Sequence, residues 1–347
     1  MLAIVIEIGI VLWLLFSIRQ RDGVEEGFWN RDEMKAARGF MTLIIMIFHV
    51  PVTSAVYSII GKTSHVLIVT LFSMYSSYGV SRRWHDGNNV SKASMLPRLE
   101  NVALPYLISI FVKSIITGNP FSGGTMWINT LLLFYVTCWF FSSVFLTNNT
   151  DINKDGIICT SAKIDICIMC FWLVYSVVVH FAHCEWFGWA AQSLGFVYGI
   201  ILCRYEKEIW RFFRELSAAG WIVGCIVCMT IIILLGYRYL NIYESTVVTD
   251  SMYYIWKEMT FFEVVVVVGL GMLYSVRGRF ISFVGDISLW CYLWHGLIVD
   301  LLNDYFSDGC LMFFVCLLTI ILSWISKVLF RMSRNVICNH ISQRNNR

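Results

Sequence analysis

The sequence predicts an all-α fold, a polytopic transmembrane bundle of about 10–11 helical spans. Three observations lead there. Of 347 residues, 58% are hydrophobic and only 14% charged, and the mean hydropathy is +0.69, which is more apolar surface than one water-soluble core of this length can bury. The apolar residues come in runs of about 20, the length that crosses bilayer hydrocarbon. Only four prolines are present, and the alternating segments of about ten residues that mark a membrane barrel are missing, so helices must satisfy the backbone.

Roughly eleven runs qualify as spans. The first, 2–18, has no basic residue ahead of it and no small-residue cleavage site, so it reads as a retained span rather than a cleaved signal peptide. Residues 1–35 are therefore an extra N-terminal helix followed by a cytoplasmic loop. The runs 39–60 and 65–81 come next, joined by an outer turn at GKTS, 61–64. Beyond the basic segment Arg82 to Arg98, the runs 101–117 and 126–146 return the chain to Lys154 and Lys163. The pair 164–182 and 187–203 closes on Arg204 to Arg214, and the pair 219–238 and 259–276 closes on Arg277 and Arg279. The runs 281–301 and 310–330 complete a membrane domain, 36–335, ahead of a cytoplasmic tail, 336–347. Loops reach only about 20 residues, too few for a soluble domain.

Threading these runs alternately puts 22 of the 26 Lys and Arg residues on one side, leaving Lys62, Lys113, Arg238 and Lys257 on or near the other. By the positive-inside rule the N-terminus is outside and the C-terminus cytoplasmic, in a plasma or inner membrane. The net charge of +3 is too small for a nucleic-acid-binding surface, so membrane lipids are the expected macroscopic surroundings. A homo-oligomer is compatible with the sequence. Most of the twelve cysteines lie inside apolar runs, where they pack as small soft residues. Cys184 and Cys310 fall near outer loops, where free thiols are favoured over a disulfide.

Three look-alike motifs are set aside. GKTS resembles the end of a phosphate-binding loop, but Val56 stands where that motif needs its first glycine. DINKDG at 151–156 resembles a calcium loop, yet Ala162 occupies the closing glutamate position. His180 and His183 lie three apart at an outer helix end, where a wet interfacial pair is the ordinary explanation. No metal is expected.

Ionisable groups at membrane depth are costly, which makes each a functional candidate. His49, His295 and Glu263 are the clearest. From Arg38 to His49 is eleven helical steps, about 16 Å of rise and three turns plus about 20°, so both side chains project from one face. Arg38 then sits at the cytoplasmic mouth and His49 near mid-bilayer. A membrane anchor and a packing histidine explain the pair as well. Pro51 adds weight to a cavity, because it removes the N–H that would bond the Ile47 carbonyl and loosens the helix beside the ring.

His295 lies in SLWCYLWHG, 288–296. On a continuous helix it stands about 24 Å from Arg279, toward the outer leaflet. Trp290, Tyr292 and Trp294 form either an interfacial belt or, with His295, the wall of a sugar site. Glu263, about five residues into its span, has a snorkelling alternative. SRRW at 81–84, with Lys92 and Arg98, anchors the membrane face or meets an anionic ligand, since guanidinium forks match phosphate oxygens.

Arg38-Gly39 followed by His49 resembles the Arg-x10-His signature of the membrane acyltransferase family 3. FSMYSSYGVSRR at 72–83 is similar to that family's Phe-x-x-Ser-Gly-Tyr element, with Ser77 where glycine is usual. MWINTLLLFYVTCWF at 126–140 is similar to its Trp-rich helix, and ISFVGDISLWCYLWHG at 281–296 to its Gly-x-x-Ser-x-x-x-Tyr-Leu-x-His segment. The four fall in the family's order and cover about residues 36–330, while the span at 2–18 precedes its usual first helix.

The resemblance implies acyl transfer, commonly of acetyl, from cytoplasmic acyl-CoA to a hydroxyl of a cell-envelope or exported carbohydrate. His49 carries over as the catalytic residue and Arg38 as its motif partner. Coenzyme A is a phosphate-bearing donor, so Arg82, Arg83 and Arg98 are the expected donor-binding residues. His295, Trp294, Tyr292 and Trp127 are the expected acceptor wall. Neutral imidazole, ordinarily titrating near 6.5, is the expected general base, with an acyl-imidazole intermediate as the variant. The competing class is a secondary transporter or flippase for a lipid-linked or small polar substrate, using intramembrane His and Glu.

Overall fold

Helices dominate the computed structural model of the protein, which describes the backbone of residues 18–20, 30–50, 55–85, 92–118, 126–145, 154–181, 187–243, 250–306 and 308–345. In chain order the elements are β1 (Ile18–Gln20), α1 (Arg31–Phe48), α2 (Ala55–His85), α3 (Lys92–Thr117), α4 (Met126–Phe145), α5 (Lys154–Phe181) and α6 (Phe187–Arg204). They continue as α7 (Glu206–Glu215), α8 (Ala218–Tyr243), α9 (Asp250–Leu273), β2 (Tyr274–Val276), α10 (Arg279–Asp286), α11 (Ser288–Leu302) and α12 (Asp308–Asn345). The protein is all-α apart from one two-stranded ribbon.

Among the described residues, four helical stretches are long and apolar enough to cross a membrane: Met95–Thr117, Trp127–Phe145, Thr160–Val179 and Cys310–Val336. Two bent helix pairs raise that to six. This is fewer than the eleven runs read from the sequence, and the run 2–18 lies outside the described residues. The shortfall has a physical side. Helix α2 buries Thr70, Ser73, Ser77 and Ser81, one helix face at three- and four-residue spacing, against protein rather than lipid. Such a helix is less apolar than a lipid-facing one. By contrast Val174 and Val178 on α5, Ile222 and Ile233 on α8, and Trp324 on α12 stand exposed, as side chains against acyl chains would.

The boundaries also differ from the sequence reading in three places. The chain breaks after Phe48, not at GKTS, and α2 runs unbroken through 61–64 for 31 residues. Pro51 supplies the reason, since it disfavours helical backbone at Val50 and cannot donate to the preceding turn. The run 281–301 is two helices, α10 and α11, bent by 78°. The run 259–276 ends as helix at Leu273, and Tyr274–Val276 pairs antiparallel with Ile18–Gln20, Arg19 opposite Ser275. That ribbon ties together two segments that the charge distribution assigns to one side.

Close backbone approaches set the bundle's centre. A Cβ on Gly199 would meet the Met74 carbonyl and Ser77 hydroxyl, so α6 lies directly on α2, as a small-x-x-x-small pattern with Gly195 allows. A buried polar knot holds α5 to the same pair. Asp165, fully buried, accepts from Ser81 Oγ at 3.0 Å, Arg204 Nε at 3.1 Å and His85 Nε2 at 3.2 Å. At the end of α10, Asp286 pairs with Lys327 and lies 3.5 Å from Lys35, tying α10 to α12 and α1.

Candidate active site

Helix α1 begins where Asn30 caps it, its side chain accepting from the Glu33 amide at 2.9 Å. One turn above Lys35 it meets α10. A Cβ on Gly39 would overlap the Ile281 carbonyl, and one on Gly285 would overlap the Lys35 carbonyl. With no side chain at either glycine, the two backbones touch.

This contact fixes a common origin for two chain segments. From Gly39, α1 rises ten residues, about 15 Å, to His49. From the bend at Ile287, α11 rises roughly 10–12 Å to His295. The two imidazoles meet, ring centroids 4.5 Å apart and planes at 83°. The separation of about 24 Å expected along one continuous helix from Arg279 is thereby corrected, because α10 and α11 are bent by 78°. His49 is also not in mid-helix but is the C-cap of α1.

Both rings are oriented by their own helices. His49 Nδ1 lies 2.7 Å from the Ile45 carbonyl oxygen. His295 Nδ1 lies 3.2 Å from the Cys291 carbonyl oxygen. A carbonyl only accepts, so in each neutral ring Nδ1 carries the proton and Nε2 the lone pair. Aromatic rings continue from the pair. Tyr292 lies 5.4 Å from His295, Trp127 4.8 Å from Tyr292, and Phe72 5.4 Å from Trp127. Trp127 Nε1 donates to Ser73 Oγ at 3.4 Å, and His295, Tyr292 and Trp127 are all buried.

Toward the start of α1 lies a second cluster. Arg38 neighbours Tyr135, Tyr75 and Asp286, and its Nε is buried with no hydrogen-bond partner among the described residues. Tyr135 is shared: it faces both Arg38 and Arg98, and its hydroxyl bonds with Ser76. Arg98 also neighbours Arg83, which is exposed. Two guanidinium groups thus flank one phenol, and a third, that of Arg83, stands beside Arg98.

Arg82 does not join them. About 100° around α2 from Arg83, it pairs with Glu206, which also accepts from the Tyr78 hydroxyl at 3.0 Å. Trp294 likewise faces elsewhere, donating from Nε1 to Ser326 Oγ on α12 at 3.0 Å and stacking near Trp290. Glu263 on α9 is buried with Oε2 unpartnered among the described residues. A cleft of about 540 Å³ walled by Met74, Tyr198, Phe212, Phe261, Val264 and Val268 is lined by neither histidine.

Two participants were not singled out from the sequence. Lys113, buried on α3, is an electrostatic neighbour of His295 and Asp300. It carried the same signal as His49, a charge inside an apolar run, but was counted only as an outer cation. Tyr135 carried no signal, since a tyrosine among apolar residues is ordinary. His180, His183 and Cys184 lie outside the residues whose side chains are described. No family model, curated protein or solved structure matches the chain.

Proposed function

We propose that the chain is a membrane-embedded O-acyltransferase that moves an acyl group, acetyl by the resemblance above, from cytoplasmic acyl-CoA to a carbohydrate hydroxyl. The observation that carries this reading is the imidazole pair at the end of α1 away from Arg38. Basic side chains at one end and neutral bases at the other suit a donor with a phosphate-bearing head and a reactive thioester tip.

In this reading Arg38, Arg98 and Arg83 meet the donor's phosphates or polar arm on the cytoplasmic side. Arg82 serves structure instead, held by Glu206. His49 Nε2 takes the proton of the acceptor hydroxyl as its oxygen attacks the thioester carbon. The Ile45 carbonyl holds the ring in the required tautomer and supports the imidazolium that forms. Trp127 and Tyr292 offer faces to the CH groups of a sugar. The acceptor enters from the side opposite Arg38, so neither ligand has to cross the membrane.

The test is transfer of labelled acetyl from acetyl-CoA into glycans by inverted membrane vesicles from expressing cells, which carry their own acceptors. His49→Gln is expected to lower transfer by roughly 10²–10⁴-fold. Wild-type transfer by that variant would overturn the assignment. Absence of saturable acetyl-CoA binding to the purified wild type would favour transport instead.

A further inference from the structure

We infer that His295 is a second catalytic imidazole, which receives the proton from His49 and delivers it to the departing sulfur. The inference rests on the acyltransferase reading and assigns the second half of its proton transfer. Within the acyltransferase resemblance the sequence places His295 in the acceptor wall. Its geometry says more.

The argument starts from what His49 cannot do. Its Nδ1 is pinned to the Ile45 carbonyl at 2.7 Å, so the ring has one nitrogen, Nε2, with which to take a proton. Its backbone is anchored as well, since it caps α1 and its own N–H bonds Ile45 O at 3.1 Å. The acceptor oxygen and the donor sulfur approach from opposite ends. A fixed ring that takes the proton on one side is poorly placed to release it on the other.

His295 meets this ring edge-on, centroids 4.5 Å apart. Its own Nδ1 is held by the Cys291 carbonyl, so it too presents Nε2 as an acceptor. It is 4% exposed and rises from a different helix. The charged groups facing it from the packed helices are His49 on α1 and Lys113 on α3, and on its own helix the Tyr292 backbone also hydrogen-bonds it while the Tyr292 ring lies 5.4 Å away. No carboxylate faces the pair directly among these groups, so two adjacent rings beside an ammonium accommodate one proton and not two.

The step balances. The acceptor's O–H breaks and its proton moves to His49 Nε2 while the C–O bond forms. The proton passes to His295 Nε2 and then to sulfur as the C–S bond breaks. An ester and a free thiol result, and both imidazoles end neutral. A thiolate left unprotonated in the bundle would be a desolvated anion, which is costly there. Delivery of a proton removes that cost.

The experiment compares two donors in the vesicle assay: acetyl-CoA and an aryl thioester of acetic acid, whose thiol is a better leaving group and depends less on an acid. His295→Gln keeps the side chain's bulk and hydrogen bonding but not its basicity, and its fold is checked by circular dichroism and elution volume. We expect at least a 100-fold loss relative to wild type with acetyl-CoA, shrinking to under 10-fold with the aryl donor. His49→Gln stays inactive with both. An equal loss with the two donors, a loss confined to the acceptor KM, or wild-type rates would overturn the role of His295. Inactivity of the wild type itself with both donors would instead overturn the acyltransferase reading, and this inference with it.

Discussion

The Ile281 carbonyl oxygen lies where a side chain on Gly39 would begin. Gly285 makes the reciprocal approach to Lys35, so α1 and α10 share one backbone contact. That contact sets the relative heights of His49 and His295. Replacing Gly39 with alanine is expected to push the helices apart and destabilise the protein by about 1–3 kcal/mol, the usual cost of overpacking. Gly79 has open space around its missing Cβ. Gly79→Ala should therefore be neutral or stabilising by about 0.5–1 kcal/mol, as a helix-interior glycine replaced. Thermal unfolding of both variants in detergent checks the difference.

Arg82 and Arg98 should separate in function. Arg82→Ala leaves the buried Glu206 without its ion pair, at a cost of roughly 1–3 kcal/mol in stability, with donor affinity unchanged. Arg98→Ala should leave stability nearly intact and weaken acetyl-CoA binding about tenfold or more, since a lost charge-assisted hydrogen bond is worth about 1.5–3 kcal/mol. Equilibrium binding of labelled acetyl-CoA to each purified variant distinguishes them. Weaker binding by Arg82→Ala alone would reverse the assignment.

Trp127 and Trp294 should separate in the same way. Trp127 stands 4.8 Å from Tyr292 in the aromatic chain that leads to His295, and Trp127→Ala is expected to raise the acceptor KM several-fold. Trp294→Phe removes the bond from Nε1 to Ser326. It should cost about 0.5–1.5 kcal/mol of stability and leave the acceptor KM alone. Steady-state kinetics alongside a melting curve reads both effects.

Asp165 is the hub of a buried polar cluster. One carboxylate oxygen serves Ser81, His85 and Arg204, and Asp165→Ala strands a partly buried guanidinium. A loss of about 3–5 kcal/mol is expected, read as a lowered melting temperature or failure to accumulate in the membrane. Asp165→Asn keeps an acceptor oxygen and should lose less.

Hydropathy and charge made the all-α class legible, because burying the backbone in hydrocarbon leaves few alternatives and because apolar runs of about 20 residues are visible one by one. Pro51 also announced a break beside His49. The candidate residues were legible singly, since an ionisable side chain in an apolar run stands out. Lys113 shows the limit of that signal: the same pattern was present and its meaning was not.

By itself the sequence determined that this chain is helical, with runs long and apolar enough to cross a membrane, and that His49, His295 and Glu263 are conspicuous ionisable residues within them. Only the tertiary structure decided which of them meet. A bend of 78° before α11 and two glycines without side chains bring His295 to His49, while Glu263, equally conspicuous in the sequence, is left elsewhere. The physical reason is that span length and polarity are local properties of a run, whereas the height and rotation of one helix against another come from backbone contacts between segments far apart in the chain.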